Sequence, residues 1–430
     1  MTYSDTLDYL YTQLPMYQRQ GAAAMKKDLT NIRRLCAALG HPERRFPSVH
    51  LAGTNGKGTT AHLLAAALQR AGKRVGLYTS PHYKDFRERI KLDGRYVPEA
   101  FVVDFVARHR ALFEEVRPSF FEITVAMAFR YFAAQGVEVA VIETGLGGRL
   151  DSTNVIVPLL SVITNISLDH QQFLGDTLGA IAGEKAGIIK PGVPVVIGER
   201  QPETTPVFEA HAAEKRAPLT YAEDHWRVAL LDTDLQHSRY AVHYRQTRIL
   251  ERLQVELFGN FQAQNIRTAL AVLRALEDTE LDYTFLPQQL NAAWQNLRAR
   301  TAYQGRWQLL ERRPLVLTDS AHNEAGLRLA MQQLATVQRG RLHLVLGFVS
   351  DKKLDGVLPL LPPDADYYWT RPDIPRGLAA EVLREAAGPY GLRGRAFPTV
   401  AEALATARRE ADPNDTIYVG GSTFVVAEVL

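Results

Sequence analysis

The chain has 430 residues, of which 46% are hydrophobic, and it carries a formal net charge of +3 and a single cysteine, Cys36. A chain of this length usually forms two domains, since one hydrophobic core rarely serves more than about 250–300 residues. The small charge favours neither nucleic acid nor an anionic membrane as a partner, no run of about 18 apolar residues indicates a membrane span, and one cysteine excludes an intrachain disulfide.

The first part of the chain predicts a helix and no export signal. Residues 1–11 mix acidic residues with tyrosines and contain no apolar segment of signal-peptide length, so we expect a cytoplasmic protein. Residues 29–39 have the apolar spacing of a helix, which Gly40 and Pro42 would end.

A glycine-rich loop between a predicted strand and a predicted helix is the first candidate site. Residues 49–52 are strand-like and residues 61–70 have helical spacing. The residues that join them are Gly53, Thr54, Asn55, Gly56, Lys57, Gly58 and Thr59. Such a loop directs backbone N–H groups and the positive end of a helix dipole at one anion, and Lys57 adds a mobile charge. We predict that it binds the phosphates of ATP; the alternative is a glycine turn that only connects strand and helix.

This loop departs from the strict Walker A pattern. Leu51 stands where that pattern has its first glycine, and Gly58 stands where it has Ser or Thr. The hydroxyl groups therefore come one residue late, at Thr59 and Thr60.

Polar residues follow three more predicted strands. The strand at 74–78 enters a turn that contains Ser80, the strand at 137–142 ends in Glu143, and the strand at 160–166 runs into Asp169 and His170. Ligands of open α/β sheets gather at the carboxyl ends of strands, where a carboxylate is suitably placed for Mg²⁺. A single such residue can also be merely solvated, but the repetition on neighbouring strands favours a site.

The connecting segments leave several alternatives open. Residues 98–115 and 120–135 have helical character, and Glu122 could simply favour the start of the second helix. Arg87, Glu88 and Arg89 could equally form a solvated loop. The predicted helix at 177–189 carries Lys185, which by its position alone would hold its ammonium in solvent.

Residues 226–257 change to an alternating pattern that predicts a small antiparallel β appendage. Its mixture of aromatic and basic residues could suggest RNA binding, although it contains no basic block. The stretch at 258–265 leads into a helix that ends near Leu276.

A second α/β unit follows what looks like a linker. We expect strands at 315–318, 341–346, 366–369 and 416–419, alternating with helices. Their polar ends include residues 319–323, 347–353 and 418–422. We therefore expect an ATP-binding domain over 1–298, a linker over 299–306 and a C-terminal Rossmann-like α/β domain over 307–430, with a site in the cleft between the domains.

Taken in order, these motifs resemble the folylpolyglutamate synthase and dihydrofolate synthase family, a branch of the Mur ligases. The resemblance extends over nearly the whole chain. It is carried by the glycine-rich loop, T-S-P-H at 79–82, F-F-E at 120–122, E-T-G-L-G-G-R-L-D-S-T-N at 143–154, D-H at 169–170, E-K-A-G at 184–187, F-Q-A-Q-N at 261–265, G-R at 305–306, D-S-A-H-N at 319–323 and G-G-S at 420–422. Each motif is weak alone, but their shared order is specific.

The resemblance implies roles for individual residues. ATP phosphates would lie on the glycine-rich loop, and Lys57, Lys185 and His170 would serve catalysis. Two Mg²⁺ ions would be held by Ser80, Glu143, His170 and a carbamylated Lys185. The nucleotide would also contact Asn265, Arg306, Asp319 and His322. The pterin end of the substrate would lie near Phe121, Asp151 and Ser152.

The activity that the resemblance implies is the ATP-dependent addition of L-glutamate to dihydropteroate, to tetrahydrofolate or its polyglutamates, or to both, by a monomer. Two positions depart from the family pattern: Thr144 stands where hydrophobic residues are common, and Glu324 replaces a proline. A Mur-type ligase for a cell-wall precursor and a nucleotide-binding module without ligase chemistry are the alternatives.

Overall fold

The computed structural model describes residues 1–12, 14 and 28–430. The described residues between 3 and 221 form an eight-stranded sheet and its helices. The strands are β1 (Ser48–Ala52), β2 (Val75–Tyr78), β3 (Ile90–Leu92), β4 (Arg95–Tyr96), β5 (Val139–Glu143), β6 (Leu160–Ile163), β7 (Val195–Ile197) and β8 (Leu219–Tyr221). The helices are α1 (Tyr3–Thr12), α2 (Thr30–Ala38), α3 (Lys57–Arg70), α4 (Glu99–Val116), α5 (Phe120–Ala134), α6 (Gln171–Leu174), α7 (Leu178–Ala186) and α8 (Thr205–Lys215).

The strand order of this sheet, β4-β3-β2-β5-β1-β6-β7-β8, positions the site. Strands β2, β5, β1, β6, β7 and β8 pair in parallel. Strands β3 and β4 pair antiparallel at one side of the sheet. Because β2, β5, β1 and β6 are neighbours, the four polar turns that follow them lie side by side at the carboxyl ends of these strands.

Residues 222–301 add the β appendage and four helices. They comprise α9 (Ala222–His225), β9 (Trp226–Thr233), β10 (Ser238–Tyr244), β11 (Thr247–Val255), α10 (Gln262–Leu276), α11 (Leu290–Trp294) and α12 (Leu297–Thr301). The three strands pair antiparallel, which confirms the prediction for 226–257. Helix α12 includes residues 299–301, the first part of the segment expected to be the linker.

Residues 308–427 form a second sheet with its helices. The elements are β12 (Gln308–Arg312), β13 (Leu315–Asp319), α13 (Glu324–Val337), β14 (Leu342–Leu346), β15 (Asp366–Thr370), α14 (Ala380–Ala387), β16 (Gly394–Phe397), α15 (Val400–Glu410), β17 (Thr416–Gly420) and α16 (Thr423–Ala427). The order is β12-β13-β17-β14-β15-β16, parallel except for β12. The polar ends of β13, β17 and β14 are therefore neighbours.

Helix α3 is buried on every side, because it packs against the first sheet and against α10, α11 and α12. Leu63, Leu64 and Leu68 have no exposed surface. Burial of each such side chain contributes about 1.5–3 kcal/mol. The glycine-rich loop thus precedes a helix that is fixed in the core.

Among the described residues, no helix combines the length and the apolar character needed to cross a bilayer.

Candidate active site

The conformation of the glycine-rich loop excludes side chains at two positions. Gly56 has φ +84°, and a Cβ there would lie 2.2 Å from Asn265 Oδ1. Gly53 has φ +145°, and a Cβ there would lie 1.9 Å from Thr164 Oγ1. The loop therefore passes close to its neighbours in a backbone conformation that only glycine adopts readily.

The loop ends at the N-terminus of α3, which supplies hydrogen-bond donors. The first N–H group that bonds within the helix is that of Thr60, to the Gly56 carbonyl. The preceding N–H groups point out of the helix end, where an anion is favoured. Lys57 Nζ folds back and donates to the carbonyl oxygens of Gly53, at 2.9 Å, and Thr54, at 3.2 Å.

The two threonines that follow Gly58 are buried, so their hydroxyl groups face the protein. Thr59 Oγ1 lies 2.8 Å from the Tyr303 hydroxyl. Thr60 Oγ1 is buried without a hydrogen-bond partner among the described residues. Thr59 can therefore serve a phosphate through its backbone N–H while its hydroxyl holds the segment after α12.

Glu143 places a buried carboxylate beside the loop, at the end of β5. Only 4% of the residue is exposed, and its Oε2 accepts a hydrogen bond from the Ser80 backbone N–H at 3.1 Å. Burial raises the pKa of Glu143, against the lowering effect of the Lys57 charge. Within the described part of the chain Glu143 makes no ion pair, so a cation would fit this position.

The donor set around Glu143 suits a divalent metal that is also held by substrate oxygens. His170 and Ser80 line the same cavity as Glu143. Burial lowers the pKa of His170 to about 3, against the opposing effect of Asp169, so the ring is neutral and offers a lone pair. The described residues contain no cluster of three His, Cys, Asp or Glu side chains suited to a metal. A metal here would therefore need phosphate or water ligands in addition, as Mg²⁺ usually has.

Lys185 is buried, which corrects the expectation that its ammonium lies in solvent. Its Nζ donates to the carbonyl oxygen of Gly53 at 2.9 Å, the same oxygen that accepts from Lys57. Burial, together with the Lys57 charge, lowers the pKa of Lys185 to about 7. An amine with such a pKa is partly neutral at physiological pH, which is the form that reacts with CO₂ to give a carbamate.

The second sheet closes the opposite side of the cavity. Arg306 Nη1 donates to the Tyr83 hydroxyl at 3.0 Å. Asp319 uses both carboxylate oxygens on backbone N–H groups, those of Trp307 at 3.0 Å and Ala321 at 2.8 Å. Asp319 therefore shapes the backbone that carries Arg306.

All residues predicted for ATP and metal line one cavity between the two sheets. They are Gly53, Thr54, Asn55, Gly56, Lys57, Gly58, Thr59, Ser80, Glu143, His170, Lys185, Asn265, Arg306, Asp319 and His322. The structure thus brings together residues that precede and follow the expected linker boundary at 298/299, as a site in the cleft requires.

A second cavity, of about 250 Å³, adjoins the first. The residues predicted for the pterin end, Phe121, Asp151 and Ser152, line it. Ser80, His170 and His322 line both cavities. Asp151 accepts hydrogen bonds from the N–H groups of Gly145 and Leu146, both at 2.8 Å, and so also folds the glycine turn after β5.

Sequence reasoning left several lining residues unassigned. Arg89 and Glu122 line the second cavity, and so do Lys352 and Arg376. Arg89 and Glu88 are buried, so the alternative of a solvated loop is wrong for these two residues. The sequence signal that could have placed Arg89 at the site is its position in a charged segment directly after the Ser80 turn.

Comparisons with known proteins agree with this arrangement. Residues 51–273 match the Mur ligase middle domain, and residues 305–423 match the Mur ligase glutamate ligase domain. The chain is 32% identical over 436 residues to the dihydrofolate synthase/folylpolyglutamate synthase of Bacillus subtilis, covering 99% of this chain and 98% of the relative. It is 34% identical to a probable bifunctional folylpolyglutamate synthase/dihydropteroate synthase of Haloferax volcanii, of which it spans 50% of the length.

Two solved structures share the whole fold. Escherichia coli FolC in complex with DHPP and ADP has a TM-score of 0.86 at 30% identity, covering 100% of this chain and 97% of that one. The bifunctional folylpolyglutamate synthase/dihydrofolate synthase of Yersinia pestis, complexed with AMPPNP and a Mn ion, has a TM-score of 0.85 at 29% identity, with coverage of 100% and 97%. The chain belongs to the folylpolyglutamate synthase and dihydrofolate synthase family of Mur ligases.

Proposed function

We propose that this protein joins L-glutamate to the carboxylate of dihydropteroate, of tetrahydrofolate or its polyglutamates, or of both, with conversion of ATP to ADP and phosphate. The observation that carries the proposal is the continuity of two cavities. One has phosphate-binding character and a buried carboxylate, and the other offers the aromatic ring of Phe121. The FolC complex with DHPP and ADP supports the same pairing of ligands.

The reaction needs an activated carboxylate, because a free carboxylate resists nucleophiles. A carboxylate oxygen of the folate substrate would attack the γ-phosphorus of ATP, and ADP would leave. The amine of L-glutamate would then attack the acyl carbon, lose a proton and displace phosphate, which forms the amide. Lys57 and Arg306 would offset charge on the transferred phosphoryl group, and such electrostatic stabilisation is the main service a protein gives this step.

Ser80, Glu143 and His170 would hold Mg²⁺, which would supply positive charge next to the phosphates. A relative with AMPPNP and a Mn ion supports the use of a divalent metal. A second Mg²⁺ is part of the proposal and depends on carbamylation of Lys185, since the carbamate would turn a buried cation into an anion.

Closure of the cleft would protect the acyl phosphate from water. We place the ATP-binding domain at 1–298, the linker at 299–306 and the C-terminal domain at 307–430. With this division, the loop and Arg306 would grip the nucleotide from the first domain and from the linker. We also retain a monomer in the cytoplasm as the expected state.

The test is ADP release by the purified protein with ATP, Mg²⁺ and L-glutamate, using dihydropteroate or tetrahydrofolate as acceptor. We expect turnover with at least one acceptor and amide product in equal amount. Turnover should be lost in Lys185→Gln, which keeps the length of the side chain roughly but cannot form a carbamate.

The acceptor comparison separates the alternatives. Turnover with both acceptors would establish a bifunctional enzyme, and turnover with one would assign a single activity. The absence of ADP release with either acceptor would contradict the proposal and favour a ligase for a cell-wall precursor. The absence of nucleotide binding would contradict the folate ligase and the cell-wall ligase alike.

A further inference from the structure

The proposed mechanism leaves unused a tyrosine that lies behind the nucleotide cavity. Tyr83 comes three residues after Ser80, in the turn after β2, and lines neither cavity. Its hydroxyl oxygen accepts a hydrogen bond from Arg306 Nη1 at 3.0 Å. The same hydroxyl donates to the Gly305 carbonyl at 3.2 Å and lies 3.1 Å from Ser320 Oγ. One side chain of the first sheet's turns therefore contacts three residues next to the second sheet.

The ring of Tyr83 packs on Gly305, and its backbone is anchored by Glu88. Gly305 has φ +72°, and a Cβ there would lie 2.1 Å from Tyr83 Cζ, so the ring packs directly on the glycine backbone. The Tyr83 backbone N–H donates to Glu88 Oε2 at 2.6 Å. Since Glu88 is buried, this bond anchors the turn, and the position of the Tyr83 hydroxyl is well defined.

Arg306 depends on such an anchor. A long arginine side chain loses considerable rotamer entropy when it is held in one orientation. Its planar guanidinium must be correctly oriented to make two parallel bonds to a phosphate. The neighbouring carboxylate of Asp319 is engaged by the backbone N–H groups of Trp307 and Ala321. Arg306 Nη1 also donates to the Gly305 carbonyl, at the longer distance of 3.5 Å. The Tyr83 hydroxyl, at 3.0 Å, is thus the closer partner of Arg306 Nη1.

We propose that Tyr83 is a positioning residue that orients the Arg306 guanidinium toward the nucleotide phosphates. This inference rests on the proposed function in so far as Arg306 contacts the nucleotide. Tyr83 follows β2 of the first sheet and Arg306 lies in the linker, so the contact fixes the linker arginine against the first sheet. Tyr83 therefore sets the orientation in which Arg306 meets the nucleotide.

The test is the variant Tyr83→Phe, which keeps the ring on Gly305 and removes only the hydroxyl. We expect the Kd of AMPPNP with Mg²⁺ to rise about tenfold, the effect of losing one hydrogen bond to a charged group, without a change in melting temperature. In an Arg306→Lys background Tyr83→Phe should change the Kd little, because the guanidinium that the Tyr83 hydroxyl positions is no longer present. Tyr244→Phe, in the β appendage, is the matched control and should bind as the wild type does.

Two results would overturn the inference. They are an unchanged Kd in Tyr83→Phe, whether or not its melting temperature falls, and an equal loss of affinity in both backgrounds. A wild type that binds AMPPNP but forms no amide would contradict the proposed function alone, and the Kd comparison would still decide the role of Tyr83.

Discussion

A single residue, His50, shows how the sheet supports the site from behind. It lies in the middle of β1 with no exposed surface, and its Nε2 is 2.8 Å from Thr153 Oγ1. The Thr153 hydroxyl donates its own hydrogen to Asp151 Oδ1 at 2.6 Å. His50 Nε2 must therefore be the donor to Thr153, and Nδ1, which is buried without a partner in the described chain, carries no proton.

This arrangement predicts a loss of stability in acid. Burial, followed by the charge of Lys190, lowers the pKa of His50 to about 3, whereas an unfolded histidine has a pKa of about 6.5. Between these values the unfolded chain binds the extra proton, so stability falls as the pH falls below 6.5. We expect His50 alone to account for a loss of about 2 kcal/mol between pH 7 and pH 5.

Urea unfolding of wild type and His50→Gln at both pH values measures this contribution. The glutamine amide can still donate to Thr153 but does not titrate in this range, so the variant should lose less stability on acidification. Equal losses in the two proteins would show that His50 is not the group responsible.

The sequence predicts those site residues whose role depends on the local conformation of the chain. The glycines at 53 and 56 and the carboxylate of Glu143 at a strand end were identifiable because their conformation or position is set within a few residues. The contacts of Tyr83 and Lys352 were not, because they depend on how two distant segments meet. The burial of Lys185 was not predicted from its position, because helical spacing does not show whether a neighbouring loop covers the ammonium group.

At the scale of elements, the predicted strands agree best with the structure where the strands are buried on both faces. The predicted strands at 137–142 and 416–419 correspond to β5 and β17, which are buried along their whole length. Strand β6 ends at Ile163, earlier than expected, because the following residues bond to the glycine-rich loop, for example Thr164 Oγ1 to the Asn55 carbonyl at 2.6 Å. Strands β12 and β16 were missed because they are half-exposed or exposed edge strands with little apolar pattern.

Helix ends were set by capping, and Glu324 is an example. It replaces the proline of the family pattern as the first residue of α13, where a negative charge suits the helix dipole, and it pairs with Arg328 at 2.8 Å. The departure therefore preserves a favourable helix start. For Thr144, the other departure, the hydroxyl is buried without a partner among the described residues.

The start of α5 carries a prediction at this scale. Ser119 Oγ accepts from the Glu122 N–H at 3.3 Å, and Glu122 Oε2 accepts from the Ser119 N–H at 2.7 Å, which together form a capping box. Ser119→Ala should lower the free energy of unfolding by about 1 kcal/mol, whereas Ser119→Thr should retain most of the cap. Chemical denaturation of the two variants checks this, and equal stability of Ala and Thr variants would contradict it.

At the scale of the whole molecule, one carboxylate joins the two sides of the cleft. Asp169, in the turn after β6, accepts from Lys352 Nζ at 2.6 Å and from Asn323 Nδ2 at 3.1 Å. His322 Nε2 lies 3.3 Å from the same carboxylate. Burial alone would raise the pKa of Asp169, but the His322 ring and the other basic groups lower it well below its usual range. A second bridge forms between Asn323 and Asn55, at 3.0 Å.

These contacts predict that closure of the cleft can be weakened without touching the glycine-rich loop. Lys352→Met keeps the aliphatic stem but leaves Asp169 without its closest cation, so the closed form should become less populated. Water would then reach the acyl phosphate more often. We expect ADP release to exceed amide formation in Lys352→Met, while the wild type forms the two in equal amounts.

Lys353→Met provides the matched control, because Lys353 is the adjacent lysine and is exposed. It should keep the equal ratio of ADP to amide. The ratio can be measured by following both products from the same reaction, with ATP, L-glutamate and the better acceptor at saturation. If Lys352→Met turns over more slowly but still forms one amide per ADP, the Asp169–Lys352 pair does not protect the intermediate, and the exclusion of water must depend on the other bridges across the cleft.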